Sequence, residues 1–162
     1  MYKETQKFDQ WWITLLLYGL MGLFVYASIQ QLLYNIPFGS KPAPNIVLIL
    51  GDLLMLLLIV FFRYLTLTTV ADKDGIRVQF KPFHRNEQVF KWQDIENAEL
   101  ITYKPLLHYG GWGIRYGLYG KAYSVTGDQG IMLTLKKGKK VLVGTQNPAE
   151  FQAYIEDIKA KK

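Results

Sequence analysis

One carboxylate, Asp52, lies inside an otherwise uncharged apolar run, Ile46 to Phe62 (IVLILGDLLMLLLIVFF). An ionisable side chain in that setting is a candidate for proton or ion handling, or for a hydrogen bond between helices. A second chemically unusual stretch is Tyr103 to Gly130 (YKPLLHYGGWGIRYGLYGKAYSVTGDQG), which holds seven glycines and six tyrosines and tryptophans. Glycine lets backbone approach a ligand closely, and amphipathic aromatics favour interfaces. Lys104, Trp112, Arg115, Tyr116 and Lys121 are therefore candidates for contact with lipid or a small anionic ligand. A third is the basic cluster Lys136, Lys137, Lys139 and Lys140, which suits an anionic lipid surface or an acidic partner. The glycines spell no nucleotide loop, because Gly111-x-Gly113-x3-Gly117 lacks both the Gly-Lys-Ser/Thr of a P-loop and the dinucleotide spacing.

Catalytic constellations are missing. His84 and His108 are far apart in the chain, there is no cysteine, and no HExxH pattern occurs, so no metal centre is expected. Ser28, Ser40 and Ser124 all lie outside any GxSxG elbow. Asp94, Glu96 and Glu99 read as solvated charges on a strand edge. The expectation is a protein that is not an enzyme and carries no cofactor.

The elements that position these groups divide the chain. Its 162 residues are half hydrophobic and carry a net charge of +6, averages that fit a plain globular domain. The distribution does not. Trp11 to Leu33 is free of formal charge and as a helix would reach about 34 Å, enough to cross a hydrocarbon core. It exceeds a signal-peptide core, and no small-x-small cleavage site follows. The second run reaches spanning length with its flanks, giving spans of about 11–33 and 45–66. Between them, Tyr34 to Pro44 holds three prolines and a glycine, a turn that makes the two helices an antiparallel hairpin. Gln30 and Gln31 then fall at a depth similar to Asp52, so a hydrogen bond from one of them to its carboxyl group is expected.

Lys3 and Lys7 precede the hairpin, Arg63, Lys73, Arg77 and Lys81 follow it, and only Lys41 lies in the loop. The positive-inside rule predicts a multi-pass protein of the cell (inner, cytoplasmic) membrane with both termini cytoplasmic. From Tyr64 onward there are 15 basic and 10 acidic residues, so +5 of the charge belongs to the segment after the hairpin.

Period-two alternation and turn signals make that segment mainly β. Leu65 to Val70 and Ile76 to Phe80 flank Asp72-Lys73-Asp74-Gly75 as a hairpin. Gln88 to Trp92 and Ile95 to Tyr103 are further strands, and Ile131 to Lys136 and Lys140 to Gly144 form another hairpin. Asn147 before Pro148, Ala149 and Glu150 is an N-cap, and Phe151, Tyr154, Ile155 and Ile158 make one apolar helix face. Six or seven strands and a C-terminal helix result, with 103–130 as a loop.

That order, with the stretches KWQDIENAEL, IMLTLKKGKKVLVGTQNPAEFQAYI and GGWGIRYG, resembles bacterial membrane proteins in which an N-terminal transmembrane hairpin precedes a pleckstrin-homology (PH)-like domain. The resemblance implies a partly open β-barrel with a C-terminal capping helix at 68–162, after a hairpin domain at 1–67. It implies a scaffold or interaction module rather than a specific activity. In eukaryotic PH domains a basic motif at the first hairpin holds phosphoinositides; here that turn carries Asp72 and Asp74, poorly suited to phosphate.

The sequence thus predicts a membrane-anchored, non-catalytic PH-like scaffold at the cytoplasmic face. Its expected partners are the lipid bilayer and proteins or further copies of itself, with no nucleic acid. The alternative is binding of anionic lipid or a small ligand through 103–130, and a smaller place is left for an oligomeric transport component using Asp52.

Overall fold

The computed structural model describes residues 1–161, which fall into two compact units: Asp9–Tyr64, and Met1–Phe8 together with the chain from Leu65 onward.

The first unit is a helical hairpin. α1 (Trp11–Ser28) continues into a π-helical turn at Ile29–Leu33, and α2 spans Asn45–Tyr64. Contacts run antiparallel: Arg63 donates to Tyr18, Ser28 to Asp52 and Gln31 to Asn45. At Gly51 a Cβ would overlap the Phe24 ring, so the glycine is what lets α2 approach α1 there. Both helices are long and apolar enough to cross a membrane, and most of their leucines face outward, as Leu15, Leu23, Leu50 and Leu57 do.

The second unit is mainly β, with nine strands in two sheets among the described residues. β1 (Tyr2–Lys7), β2 (Thr66–Ala71), β3 (Gly75–Lys81) and β4 (Gln88–Lys91) form an antiparallel meander. β5 (Ile95–Thr102), β6 (Gly113–Gly117), β7 (Gly120–Ser124), β8 (Gln129–Leu135) and β9 (Lys140–Gly144) form a mixed sheet in the order β5-β8-β9-β7-β6. One pair, β7 with β9, is parallel. α3 (Pro105–Tyr109) links β5 to β6, and α4 (Pro148–Ala160) follows β9. Among the described residues no ladder joins the two sheets into a closed barrel.

The predicted strands on either side of Asp72–Gly75, at 88–92 and 95–103, and in the C-terminal hairpin all form. The count of six or seven is corrected to nine. β1 was not predicted because its inward positions are Tyr2, Glu4 and Gln6, a polar face whose burial depends on partners about 140 positions away. Glu4 accepts hydrogen bonds from the Tyr2 hydroxyl (2.6 Å), the Thr145 hydroxyl (2.7 Å) and the Gln146 N–H (2.7 Å). Gln6 donates to the Gly144 carbonyl at 2.7 Å, and Tyr2 stacks on Phe151 of α4 with ring centres 4.4 Å apart. These contacts fasten β1 to the β9–α4 junction of the other sheet, over a core that includes Leu67, Val78, Phe80, Leu133, Leu142 and Ile155. The apolar face predicted for α4 is present, with Phe151 and Ile155 buried. Asn147 occupies its N-cap without a side-chain cap bond; its N–H donates instead to the Thr145 hydroxyl at 3.0 Å.

Candidate functional site

The stretch 103–130 is not a loop but a helical turn and a tight hairpin. Pro105 starts α3 with a preset φ, and Gly110 ends it in the left-handed region at φ 68°. β6 and β7 pair in register from Gly113↔Ser124 to Gly117↔Gly120, leaving Leu118-Tyr119 as a two-residue turn. Gly120 serves twice: its φ is +102°, and a Cβ would overlap the Lys140 carbonyl oxygen. Only glycine lets the start of β7 lie against the start of β9, where Lys121 pairs with Val141.

That contact brings two distant sequence features to one place. A cavity of about 650 Å³ opens between β4, the β6–β7 hairpin and the β8–β9 turn. Its walls include Phe90, Tyr116, Lys121, Tyr123, Lys139 and Lys140. This volume is typical of small-ligand sites. Period-two alternation puts Lys121 and Tyr123 on one face of β7. The Lys121 ammonium lies 4.7 Å from the Tyr123 ring centre and 5.4 Å from that of Tyr116, within cation–π range. Partial burial opposes its charge, but the Tyr123 and Tyr116 hydroxyls beside it outweigh that influence and leave its pKa above the ordinary lysine value. Lys139 and Lys140 are exposed on the turn held by Gly138 at φ 74°. The cavity therefore joins an aromatic wall to three cationic side chains.

Next to it His84 packs edge-on against Tyr123 with ring centres 5.5 Å apart and accepts the Phe80 N–H through Nδ1. Burial, and then the nearby Lys121 charge, push its pKa below the usual imidazole value. An imidazole biased toward its neutral form thus borders the lysine.

Of the residues singled out in the sequence, Tyr116, Lys121, Lys139 and Lys140 line the cavity. Lys136 and Lys137 are exposed on the same β8–β9 turn but do not line it. Arg115 alternates away from Tyr116, its Nε donating to the Trp112 carbonyl at 3.0 Å, and the Trp112 indole donates to the Gly127 carbonyl at 2.9 Å. Lys104 is exposed ahead of α3, where its N–H donates to His108 Nδ1. Sequence reasoning missed Phe90 and Tyr123. The only signal was the Lys-x-Tyr spacing at 121–123, and it counts only once β7 is known to be a strand.

At the first hairpin, Asp72 accepts the N–H groups of Asp74 and Gly75 and the guanidinium of Arg77. Burial raises its pKa, but these donors together outweigh that and hold the carboxyl below its ordinary value. Arg77 also pairs with Glu87. Arg77, the basic residue that follows this turn on β3, is thus committed within the protein, while Lys73 is exposed in the turn between two aspartates.

In the helical unit the expected Gln–Asp52 pairing is replaced. Asp52 accepts from the Ser28 hydroxyl at 2.6 Å. Gln30 donates to the Tyr26 hydroxyl, and Gln31 to the Ala43 carbonyl and Asn45 Oδ1, both glutamines lying in the π-helical turn at the loop end of the hairpin. Ser28, just before that turn, is at the depth of Asp52. Among the described residues no three His, Asp or Glu side chains gather in a metal-holding group. No family model, curated protein or solved structure matches the chain.

Proposed function

We propose that this protein is a membrane-anchored, non-catalytic module whose β unit binds an anion in the cavity between β4 and the β6–β9 strands. The observation that carries this reading is the convergence of Lys121, Lys139 and Lys140 with Phe90, Tyr116 and Tyr123 around one cavity. Cations supply attraction to an anionic group, and the aromatic wall accepts an attached apolar or sugar-like portion.

Several features support membrane anchoring. The two apolar helices have spanning length, and the hairpin is inserted between β1 and β2. Because Lys7 pairs with Thr66, the two ends of the insertion leave from adjacent strand ends, as a hairpin with both ends on one side of a bilayer requires. The basic flanks favour the cytoplasmic side of the cell membrane. The meander β2–β4, the strands β5, β8 and β9 and the helix α4 support a PH-like reading, with β6–β7 as an inserted hairpin. The Asp72–Arg77 pairing favours the β6–β9 side over the first hairpin as the place of binding.

The test uses the full chain in nanodiscs of phosphatidylcholine, titrated with pyrophosphate by calorimetry at low salt. Binding is expected, weakening as salt rises. Replacing Lys121, Lys139 and Lys140 by Gln is expected to weaken it about 100-fold, taking roughly 1 kcal/mol per lysine. Unchanged affinity in the triple variant, or no binding by the unmodified chain, would refute the assignment.

A further inference from the structure

We infer that the anion is presented by a bilayer, and that α3 and the β6–β7 turn form an apolar tip that inserts into an anionic membrane surface beside the cavity. This rests on the anion-binding reading above and names the source of its ligand.

The two elements are joined. The Leu118 N–H donates to the His108 carbonyl at 3.2 Å, the His108 and Tyr119 rings meet edge-on at 5.1 Å, and at Gly117 a Cβ would overlap the His108 carbonyl oxygen. From this joint base four apolar side chains project: Leu106, Leu107, Tyr116 and Leu118, which are 71%, 70%, 77% and 80% exposed. Among the described residues from Leu65 onward, no other large apolar side chain is as exposed. A soluble surface scatters such residues singly, whereas a cluster marks an interaction site.

The occupant follows from charge and exposure. Between Lys104 and Ala149 the chain has seven basic residues and a single acidic one, Asp128. Lys104 and Arg115 immediately precede the tip's two halves, and Lys121 touches the Tyr116 ring. Tyr116, Leu118, Lys121, Lys139 and Lys140 all line the cavity, so the apolar tip is also the rim of the cationic site. Exposed leucines with a tyrosine, flanked by cations, match the boundary between acyl chains and anionic headgroups. A chain with two helices of membrane-spanning length also keeps its β unit within reach of such a surface. An anionic headgroup would enter the cavity as the tip's leucines meet the acyl boundary.

The absence of cysteine makes the test clean. Leu107→Cys and Leu118→Cys would each be labelled with an environment-sensitive fluorophore in the full chain. The proteins would be reconstituted in phosphatidylcholine with and without phosphatidylglycerol, with Ala153→Cys on the exposed face of α4 as reference. The expected result is a blue-shifted emission at 107 and 118, quenched by doxyl-labelled lipid, only when phosphatidylglycerol is present. The reference label is expected to keep its aqueous emission. Aqueous emission at 107 and 118 in both lipid mixtures overturns the inference and leaves the tip to a protein partner. An equal shift without phosphatidylglycerol overturns it as well. Pyrophosphate binding that persists while the labels stay aqueous would defeat the inference but keep the anion site; a shift retained in the triple Lys→Gln variant would defeat the link between them.

Discussion

The side chains around the cavity show how neutral and charged groups sit together. The hydroxyls of Tyr123 and Tyr116 outweigh the cost of partial burial and raise the pKa of Lys121, whereas partial burial, and then the Lys121 charge, lower that of His84 beside it. This has a pH consequence. A histidine whose folded pKa lies below its unfolded value binds fewer protons when folded, so its contribution is complete above the unfolded value near 6.5 and is lost as pH falls through the folded one. Unfolding midpoints taken between about pH 7.5 and about pH 5 are expected to drop further for the unmodified chain than for His84→Gln. Equal drops would show that His84 does not carry this share of the pH dependence. Asp52 illustrates the limit of reading single residues. Its need for an interhelical donor was legible in the sequence, but the donor is Ser28, since the register of the hairpin, which sets Ser28 opposite Asp52 and Gln31 opposite Asn45, is not written in the sequence.

Among the elements, alternation in LTLTTV and IRVQF and the Lys-Gly-Lys turn were enough to locate β2, β3, β8 and β9, because each is bounded by local turn chemistry. β1 and the β6–β7 hairpin were hidden for different reasons. The pairing of β1 is nonlocal and its inward positions are mostly polar, whereas the β6–β7 hairpin is local but its Leu118-Tyr119 turn carries none of the Asn, Asp or Gly signals of a tight hairpin. Tyr116, Lys121, Lys139 and Lys140 were recognisable as candidates, but that they line one cavity depends on the parallel β7–β9 pair and the close approach at Gly120. β1 is fastened chiefly through Glu4, so Glu4→Ala would leave the Tyr2 and Thr145 hydroxyls and the Gln146 N–H without their acceptor. A loss of about 2–4 kcal/mol in unfolding free energy is expected, with Glu4→Gln losing less because it keeps an acceptor oxygen. Denaturant unfolding of the full chain, followed by tryptophan fluorescence, would measure it; equal, small losses in both variants would show that the network does not hold β1.

For the whole molecule, the chain averages conceal two unlike units, an apolar helical hairpin and a basic β unit whose sheets are sewn together by the N-terminal strand. Inserting the hairpin between β1 and β2 means that the β unit is completed only when the chain has passed through the hairpin and returned. The central claim is that two segments far apart in sequence form one anion site on this unit. Amide hydrogen exchange of the full chain in phosphatidylcholine nanodiscs, with and without pyrophosphate, tests it most directly. The account predicts that 116–123 and 138–141 gain protection together and that the gain vanishes in the Lys121→Gln, Lys139→Gln, Lys140→Gln variant. Protection of one segment without the other, or protection that survives in the variant, would contradict it.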